Sequence, residues 1–112
     1  MNRRKKIRNC IVKLGLSARM RGTKYLEEAA YMWRPGMLMK EIYPQVAKKY
    51  GTSWQCVERN IRAALDAAWA GERGNTAMIV EVFGLWALHE RPKVGEAIAQ
   101  IGWWTEGDLD QD

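Results

Sequence analysis

The sequence contains little of the chemistry that enzymes and metal sites use, since it has one histidine and two cysteines in 112 residues. His89 has no acid or nucleophile at a recognisable motif spacing, and Cys56 has no histidine near it in sequence. Cys10 and Cys56 form no CxxC pair, which excludes the common zinc motifs and favours a reducing compartment without disulfides. We therefore expect a protein that is not an enzyme and that needs no metal or other cofactor.

Long apolar runs are also absent, and none approaches the roughly 20 residues that a membrane-spanning helix needs. The basic start MNRRKK is followed by an apolar stretch that Lys13 interrupts and that is too short for a signal peptide. We expect an intracellular protein with no membrane partner. The chain is nevertheless 47% hydrophobic and contains six tryptophans, which predicts a packed core and not disorder.

Charge is distributed unevenly along the chain. Residues 1–62 contain fifteen lysines or arginines and four acidic residues, whereas residues 63–112 contain three and nine. A basic half of this kind is the electrostatic footprint of a protein that binds a polyanion, and nucleic acid is the obvious polyanion. For residues 1–6 the alternative is a solvated basic arm that only keeps the protein soluble.

Glycine and proline divide the chain into about six helical segments, and nothing reads as a strand. The sequence predicts one all-α domain over residues 1–112, with a basic arm at 1–6 and an acidic tail at 105–112. The predicted helices cover residues 7–14, 23–33, 37–50, 54–70, 76–83 and 94–104. The second helix is predicted to bury one face, formed by Tyr25, Leu26, Ala29, Ala30 and Trp33.

The stretch PQVAKKYGTSWQCVERNIR, residues 44–62, predicts a helix-turn-helix. Its first helix is expected at about 44–50, its turn at 51–53 and its recognition helix at about 54–70. Apolar residues recur at spacings of three and four along the second helix, which predicts one buried face. That face consists of Val57, Ile61, Ala64, Leu65 and Ala68.

The turn contains the residues that such a junction needs. Gly51 can adopt the left-handed conformation that ends a helix. Pro44 either opens the first helix or kinks a helix that begins near Leu38. Thr52 or Ser53 is expected to cap the recognition helix.

The outer face of the recognition helix carries the candidate base-reading residues, because such a helix enters the major groove by its N-terminal turns. These candidates are Gln55, Cys56, Glu58 and Arg59. Arginine donates to guanine O6 and N7, glutamate accepts from the cytosine amino group, and glutamine pairs with adenine. The face therefore predicts sequence-specific binding of double-stranded DNA, with a solvated face of local Glu–Arg pairs as the alternative.

These segments resemble the effector domain of the bacterial sporulation master response regulator. The resemblance rests on GLSARMRGTKYLEEA, IYPQVAKKYGTS, VERNIRAALDAAW, a later FG and RPKVGEAIAQI, which occur in the family's order. It implies a six-helix fold that binds short DNA boxes as head-to-tail pairs, at the nucleoid in the bacterial cytoplasm, to activate or repress transcription. The family's receiver domain has no counterpart here, so we expect a stand-alone regulator or an excised effector domain.

Carried over residue by residue, the resemblance places Glu58 and Arg59 at positions where the family reads bases. Cys56 stands where the family has a base-reading arginine, so we expect a different base to be read there, with a redox-sensing thiol as the alternative. Polar positions suited to phosphate are matched by Lys48, Lys49, Thr52 and Arg62. Further candidates for phosphate contacts are Ser53, Arg21 and Lys24.

Apolar residues in the second half predict interactions with other proteins. Residues 77–86 present more apolar surface than a small core needs, which predicts a homodimer on tandem sites. The segment between Trp69 and Phe83 resembles the family's contact with the polymerase sigma factor. Trp103 and Trp104 are expected to pack in the core or in a dimer interface. Their alternative is an exposed anchor of a protein-interaction module, or of an antagonist that competes with or binds a full-length regulator without activating transcription.

Overall fold

The computed structural model describes residues 2–71 and 75–110, and for residues 107–110 it describes the backbone alone. The six α-helices are α1 (Arg3–Lys13), α2 (Arg21–Met32), α3 (Met39–Tyr50), α4 (Trp54–Ala70), α5 (Thr76–Phe83) and α6 (Val94–Asp110). A 3-10 helix, Leu85–Leu88, lies between α5 and α6. The described part of the chain contains no strand, so the predicted all-α fold is confirmed.

Helix α2 lies at the centre of the fold and packs against α1, α3, α4 and α6. The face of α2 predicted to be buried is buried, and so is the predicted inner face of α4. The rest of the core comes from α1, α3, α5 and α6, through residues that include Ile7, Ile11, Ile42, Val46, Phe83, Ile98 and Ile101. Both helices of the helix-turn-helix, α3 and α4, therefore rest on the same central helix.

Helices α2 and α4 approach so closely that Gly22 has no space for a side chain. A Cβ atom at this position would lie 1.9 Å from the carbonyl oxygen of Asn60. Only glycine allows two helix backbones to come this near. The contact fixes the first turn of α2 against the N-terminal half of the recognition helix.

The basic start of the chain belongs to helix α1 and does not form the predicted arm at 1–6. The Asn2 side chain caps this helix by accepting a hydrogen bond from its first turn. Arg3 donates to the backbone carbonyl of Tyr31 at 2.6 Å, and Arg4 donates to the buried carboxylate of Glu28 at 3.0 Å. Two of the basic residues therefore tie α1 to α2.

Helix α6 continues past its predicted end at residue 104 and includes part of the predicted acidic tail. Thr105 is fully buried, and its hydroxyl donates to the carbonyl of Ile101 at 2.9 Å. Of the predicted tail, residues 111–112 lie outside the described residues. Trp104 packs against the core as expected, whereas Trp103 is 64% exposed.

Helix α3 begins at Met39 and contains Pro44, which agrees with the alternative of a helix that begins near Leu38 and not with a start at about residue 44. The backbone amide of Leu38 donates to the Glu41 carboxylate at 2.8 Å, which fixes this earlier start. The 3-10 helix was not predicted. The chain enters it through Gly84, whose φ of 110° favours glycine.

Candidate DNA-binding surface

The turn between α3 and α4 has the geometry that the sequence predicts. Gly51 adopts a left-handed conformation, with φ 65° and ψ 39°. The amide of Thr52 donates to the carbonyl of Ala47 at 2.9 Å, which satisfies a carbonyl at the end of α3. Ser53, and not Thr52, caps α4, because its hydroxyl accepts from the amide of Cys56 at 3.1 Å.

Helix α4 presents its candidate base-reading residues on the side opposite the core. Gln55 and Arg59 are exposed, while Cys56 and Glu58 are half-buried on the two flanks. Neither the side chain of Gln55 nor that of Arg59 forms a hydrogen bond or an ion pair with any residue that the structure describes. Their side chains are therefore available to a ligand that lies along the outer face of α4.

Glu58 is paired within its own helix. Its carboxylate lies 2.6 Å from the guanidinium of Arg62, one turn later. Burial, and then the nearby charge of Glu58, raises the pKa of the Tyr43 phenol on α3. Glu58 therefore lies on the α3 side of the recognition helix, and Arg62 keeps further guanidinium donors with which it could contact a phosphate.

Cys56 lies on the other flank, beside α2. The side-chain amide of Asn60 donates to the Cys56 carbonyl at 2.7 Å and to its sulfur at 3.1 Å. Asn60 is also the residue whose backbone touches Gly22 of α2. The thiol is thus half-exposed where the recognition helix meets the start of α2.

The predicted phosphate-contacting lysines differ in their surroundings. Lys49 lies 2.8 Å from the carboxylate of Glu28, so its charge is already partly balanced. Lys48 is exposed and makes no ion pair within residues 2–71 and 75–106. Of the two lysines, Lys48 is therefore the freer to meet a phosphate.

Arg21 and Lys24, at the start of α2, are both exposed. They line a shallow hollow of about 330 Å³ with Tyr25 and Tyr50. The hollow lies between the start of α2 and the last residue of α3. Both side chains remain without an ionic partner in the described part of the chain.

The carboxylate of Glu28 is the buried polar group of this region. Burial alone would raise its pKa, but hydrogen bonds from Arg4 and Lys49 outweigh burial and hold the pKa below its ordinary value. Glu28 thereby links α1 to the last turn of α3. The sequence shows these three charged residues but not that they meet, because each of the two contacts joins residues more than twenty positions apart.

A second feature that the sequence analysis missed lies between α3 and the first residue of α4. A cleft of about 410 Å³ is lined by Lys40, Tyr43, Pro44 and Trp54. Trp54 is 50% exposed although it follows directly on the helix cap. The sequence signal that could have indicated this cleft is Trp54 itself, a large apolar residue at the first position of the recognition helix.

In the ranges that the structure describes, no three His, Cys, Asp or Glu residues are grouped to hold a metal ion. No described helix is long and apolar enough to cross a bilayer.

Residues 7–103 match the protein family described as the C-terminal domain of the sporulation initiation factor Spo0A. The match extends from α1 into α6 and includes the whole helix-turn-helix. This family is a DNA-binding effector domain of a response regulator and not an enzyme family.

Proposed function

Because the chain belongs to the family of the Spo0A C-terminal domain, we propose that it is a sequence-specific, double-stranded DNA-binding regulator of transcription. One observation carries this proposal: Arg59 and Gln55 are exposed on the outer face of α4, with no partner among the described residues, while the opposite face is buried. Side chains in this position keep their donors free for base edges in the major groove.

The surroundings of the other candidates divide them by role. We assign base reading to Gln55, Cys56, Glu58 and Arg59, where Glu58 can accept from a cytosine amino group through the oxygen that Arg62 does not engage. Contacts with phosphate are assigned to Lys48, Lys49, Thr52, Ser53, Arg62, Arg21 and Lys24. The paired state of Lys49 and the capping role of Ser53 make these two weaker contributors than Lys48.

Two partners besides DNA are part of the proposal. Within residues 77–86, Leu85 is 70% exposed and Trp86 is 42% exposed, which supports a homodimer formed on tandem boxes at the nucleoid. The proposed contact with a polymerase sigma factor involves the segment between Trp69 and Phe83, of which residues 72–74 lie outside the described residues.

A second candidate function is favoured by the same exposed apolar residues. Trp103 is exposed as well, so the chain presents apolar anchors away from its recognition helix. A protein-interaction module, or an antagonist of a full-length regulator, would use these anchors and would not need base contacts.

The test is a selection of bound sequences from random duplex DNA. We expect one short recurring box, with binding that weakens as salt rises, by a slope of about 0.9 for each phosphate contacted. Single-stranded RNA of the same length is the control and should not compete. Recovery of no recurring sequence, with tight binding to a full-length regulator, would favour the antagonist.

A further inference from the structure

The recognition helix begins with an apolar side chain that is half-exposed to water. Trp54 directly follows the cap residue of α4 and forms one wall of the cleft between α3 and α4. The other walls are the rings of Tyr43 and Pro44, and Lys40 lies at the edge. Three neighbouring rings on an otherwise charged surface indicate a contact surface, because isolated apolar side chains need no explanation but clustered ones do.

The position of the cleft indicates what covers it. Trp54 lies immediately before Gln55 and one turn before Glu58 on the α3 side of the helix. A helix-turn-helix inserts the N-terminal turns of its second helix into the major groove while its first helix crosses the backbone. DNA docked on Gln55 and Arg59 therefore passes directly over the cleft, and Lys40 is placed to meet its phosphates.

We propose that Trp54, supported by Tyr43 and Pro44, recognises the 5-methyl group of a thymine in the bound DNA. This inference rests on the proposed function. The major-groove edges of the four bases present hydrogen-bonding groups and a single apolar group, which is the thymine methyl. An apolar cleft at the groove-facing end of α4 has no other complementary partner on a base edge.

Deoxyuridine tests the proposal, because it keeps the hydrogen-bonding edge of thymine and lacks only the methyl group. Each thymine of the selected box is replaced singly, and the affinity of each duplex is measured by fluorescence anisotropy. Removal of one buried methyl group should weaken binding by the wild-type protein about fourfold at one position. For Trp54→Ala the thymine and deoxyuridine duplexes should bind equally at that position.

Two further variants separate this role from a structural one. Trp103→Ala removes another exposed tryptophan, far along the chain on α6, and should keep the full preference for thymine. Trp54→Leu retains an apolar contact and should keep part of the preference. Circular dichroism and thermal unfolding of each variant establish that the fold persists.

The outcomes distinguish this inference from the function on which it rests. Wild-type protein that binds the box but tolerates deoxyuridine everywhere would overturn the thymine contact and leave the proposed function intact. If Trp54→Ala lowers the affinity for the thymine duplex and for the deoxyuridine duplex by the same factor, the preference for thymine remains. The indole then packs on the sugar-phosphate backbone, and the thymine contact is also overturned. Failure of the wild-type protein to bind any duplex would overturn both proposals.

Discussion

Arg59 is the residue whose loss separates base reading from general attraction to DNA. Its guanidinium has no partner in the described residues, so its donors are free for guanine. We expect Arg59→Ala to weaken binding to the selected box by about 1 to 3 kcal/mol and to change binding to random duplex little. Titrations against both duplexes measure the difference.

Lys48→Ala is the control, since it removes one positive charge whose side chain also has no ionic partner in the described part of the chain. Because Lys48 is assigned to phosphate, its loss should weaken binding to the box and to random duplex alike. Equal losses for Arg59→Ala on the two duplexes would show that Arg59 also contacts only phosphate.

We propose that Cys56 stands where its family reads a base with an arginine. A thiol cannot form the bidentate pair that arginine forms with guanine. We expect Cys56→Arg to raise affinity for the family's DNA box by about 1 to 3 kcal/mol, the discrimination of one good pair. Competition between the family's box and the selected box measures the change.

Cys56→Ser serves as the control, because a hydroxyl can still accept the hydrogen bond that Asn60 donates to the sulfur. Wild-type protein that loses binding in peroxide, where the serine variant does not, would favour the redox-sensing alternative. If Cys56→Arg does not raise the affinity for the family's box, position 56 does not face the base that the family's arginine reads. The placement proposed for α4 in the major groove is then wrong.

At the scale of elements, the fold depends on the crossing of α2 and α4 at Gly22. A methyl group there would meet the backbone of Asn60, which cannot move without displacing the recognition helix. We expect Gly22→Ala to lower the free energy of unfolding by about 2 to 4 kcal/mol. Urea unfolding followed by circular dichroism measures the loss.

Gly95→Ala is a close control, because Gly95 is also the second residue of its helix, α6. The nearest atom to a Cβ there is the flexible Met39 side chain at 3.3 Å. This substitution should change stability by less than about 1 kcal/mol. Equal effects of the two variants would mean that helix propensity, and not the crossing, determines the result.

The link between α1 and α3 through Glu28 should make stability depend on pH. The pKa of Glu28 is lowered in the folded protein, so its contribution is complete above its unfolded value of about 4.5 and is lost as the pH falls through the folded pKa. Glu28→Gln should therefore lower the free energy of unfolding by about 1 to 3 kcal/mol at pH 7. The difference from wild type should shrink below about pH 4.5.

Urea unfolding at several pH values measures this dependence. Glu81→Gln, which removes one exposed carboxylate from α5, is the control and should change stability less at pH 7. A difference between wild type and Glu28→Gln that stays constant from pH 7 to pH 3 would contradict the proposed linkage.

The elements that the sequence predicts well are those with strong local signals. The periodic apolar residues of α4 give its bounds and its buried face, and Gly51 gives the turn. Contacts between distant segments leave no local pattern. This is why the pairing of Glu28 with Arg4 and Lys49 and the space that requires Gly22 were not predicted.

The ends of helices were the least predictable part of the fold. Residues 3–6 are charged and were predicted to form an arm. Instead they belong to α1, which Asn2 caps, and Arg3 donates to the carbonyl of Tyr31. Thr105 read as the start of a tail, but the core buries it. In both cases tertiary contacts extend a helix beyond the stretch in which apolar residues recur at helical spacing.

At the scale of the whole molecule, one group of exposed apolar residues lies directly after α5. Leu85 and Trp86 are exposed on the 3-10 helix, whereas the basic residues assigned to DNA lie in the first half of the chain. We propose that Leu85 and Trp86 contact a second copy while the N-terminal turns of α4 bind DNA. Two copies on adjacent boxes would each contribute binding energy to the other.

We expect binding to two tandem boxes to be cooperative and Leu85→Asp to abolish the cooperativity. An acidic side chain at this exposed position should disfavour an apolar contact between copies without disturbing the fold or the recognition helix. Affinity for a single box should therefore stay at the wild-type value. Footprinting of one-box and two-box duplexes measures both quantities.

Trp103→Asp, which places the same charge on the exposed face of α6, decides between the two apolar surfaces. If the copies meet through Leu85 and Trp86, this variant should retain cooperative binding. If Trp103→Asp abolishes cooperativity and Leu85→Asp does not, the contact lies on α6. Independent filling of the two boxes by the wild-type protein would show that each copy binds alone, because a shared interface must make the second binding event more favourable than the first.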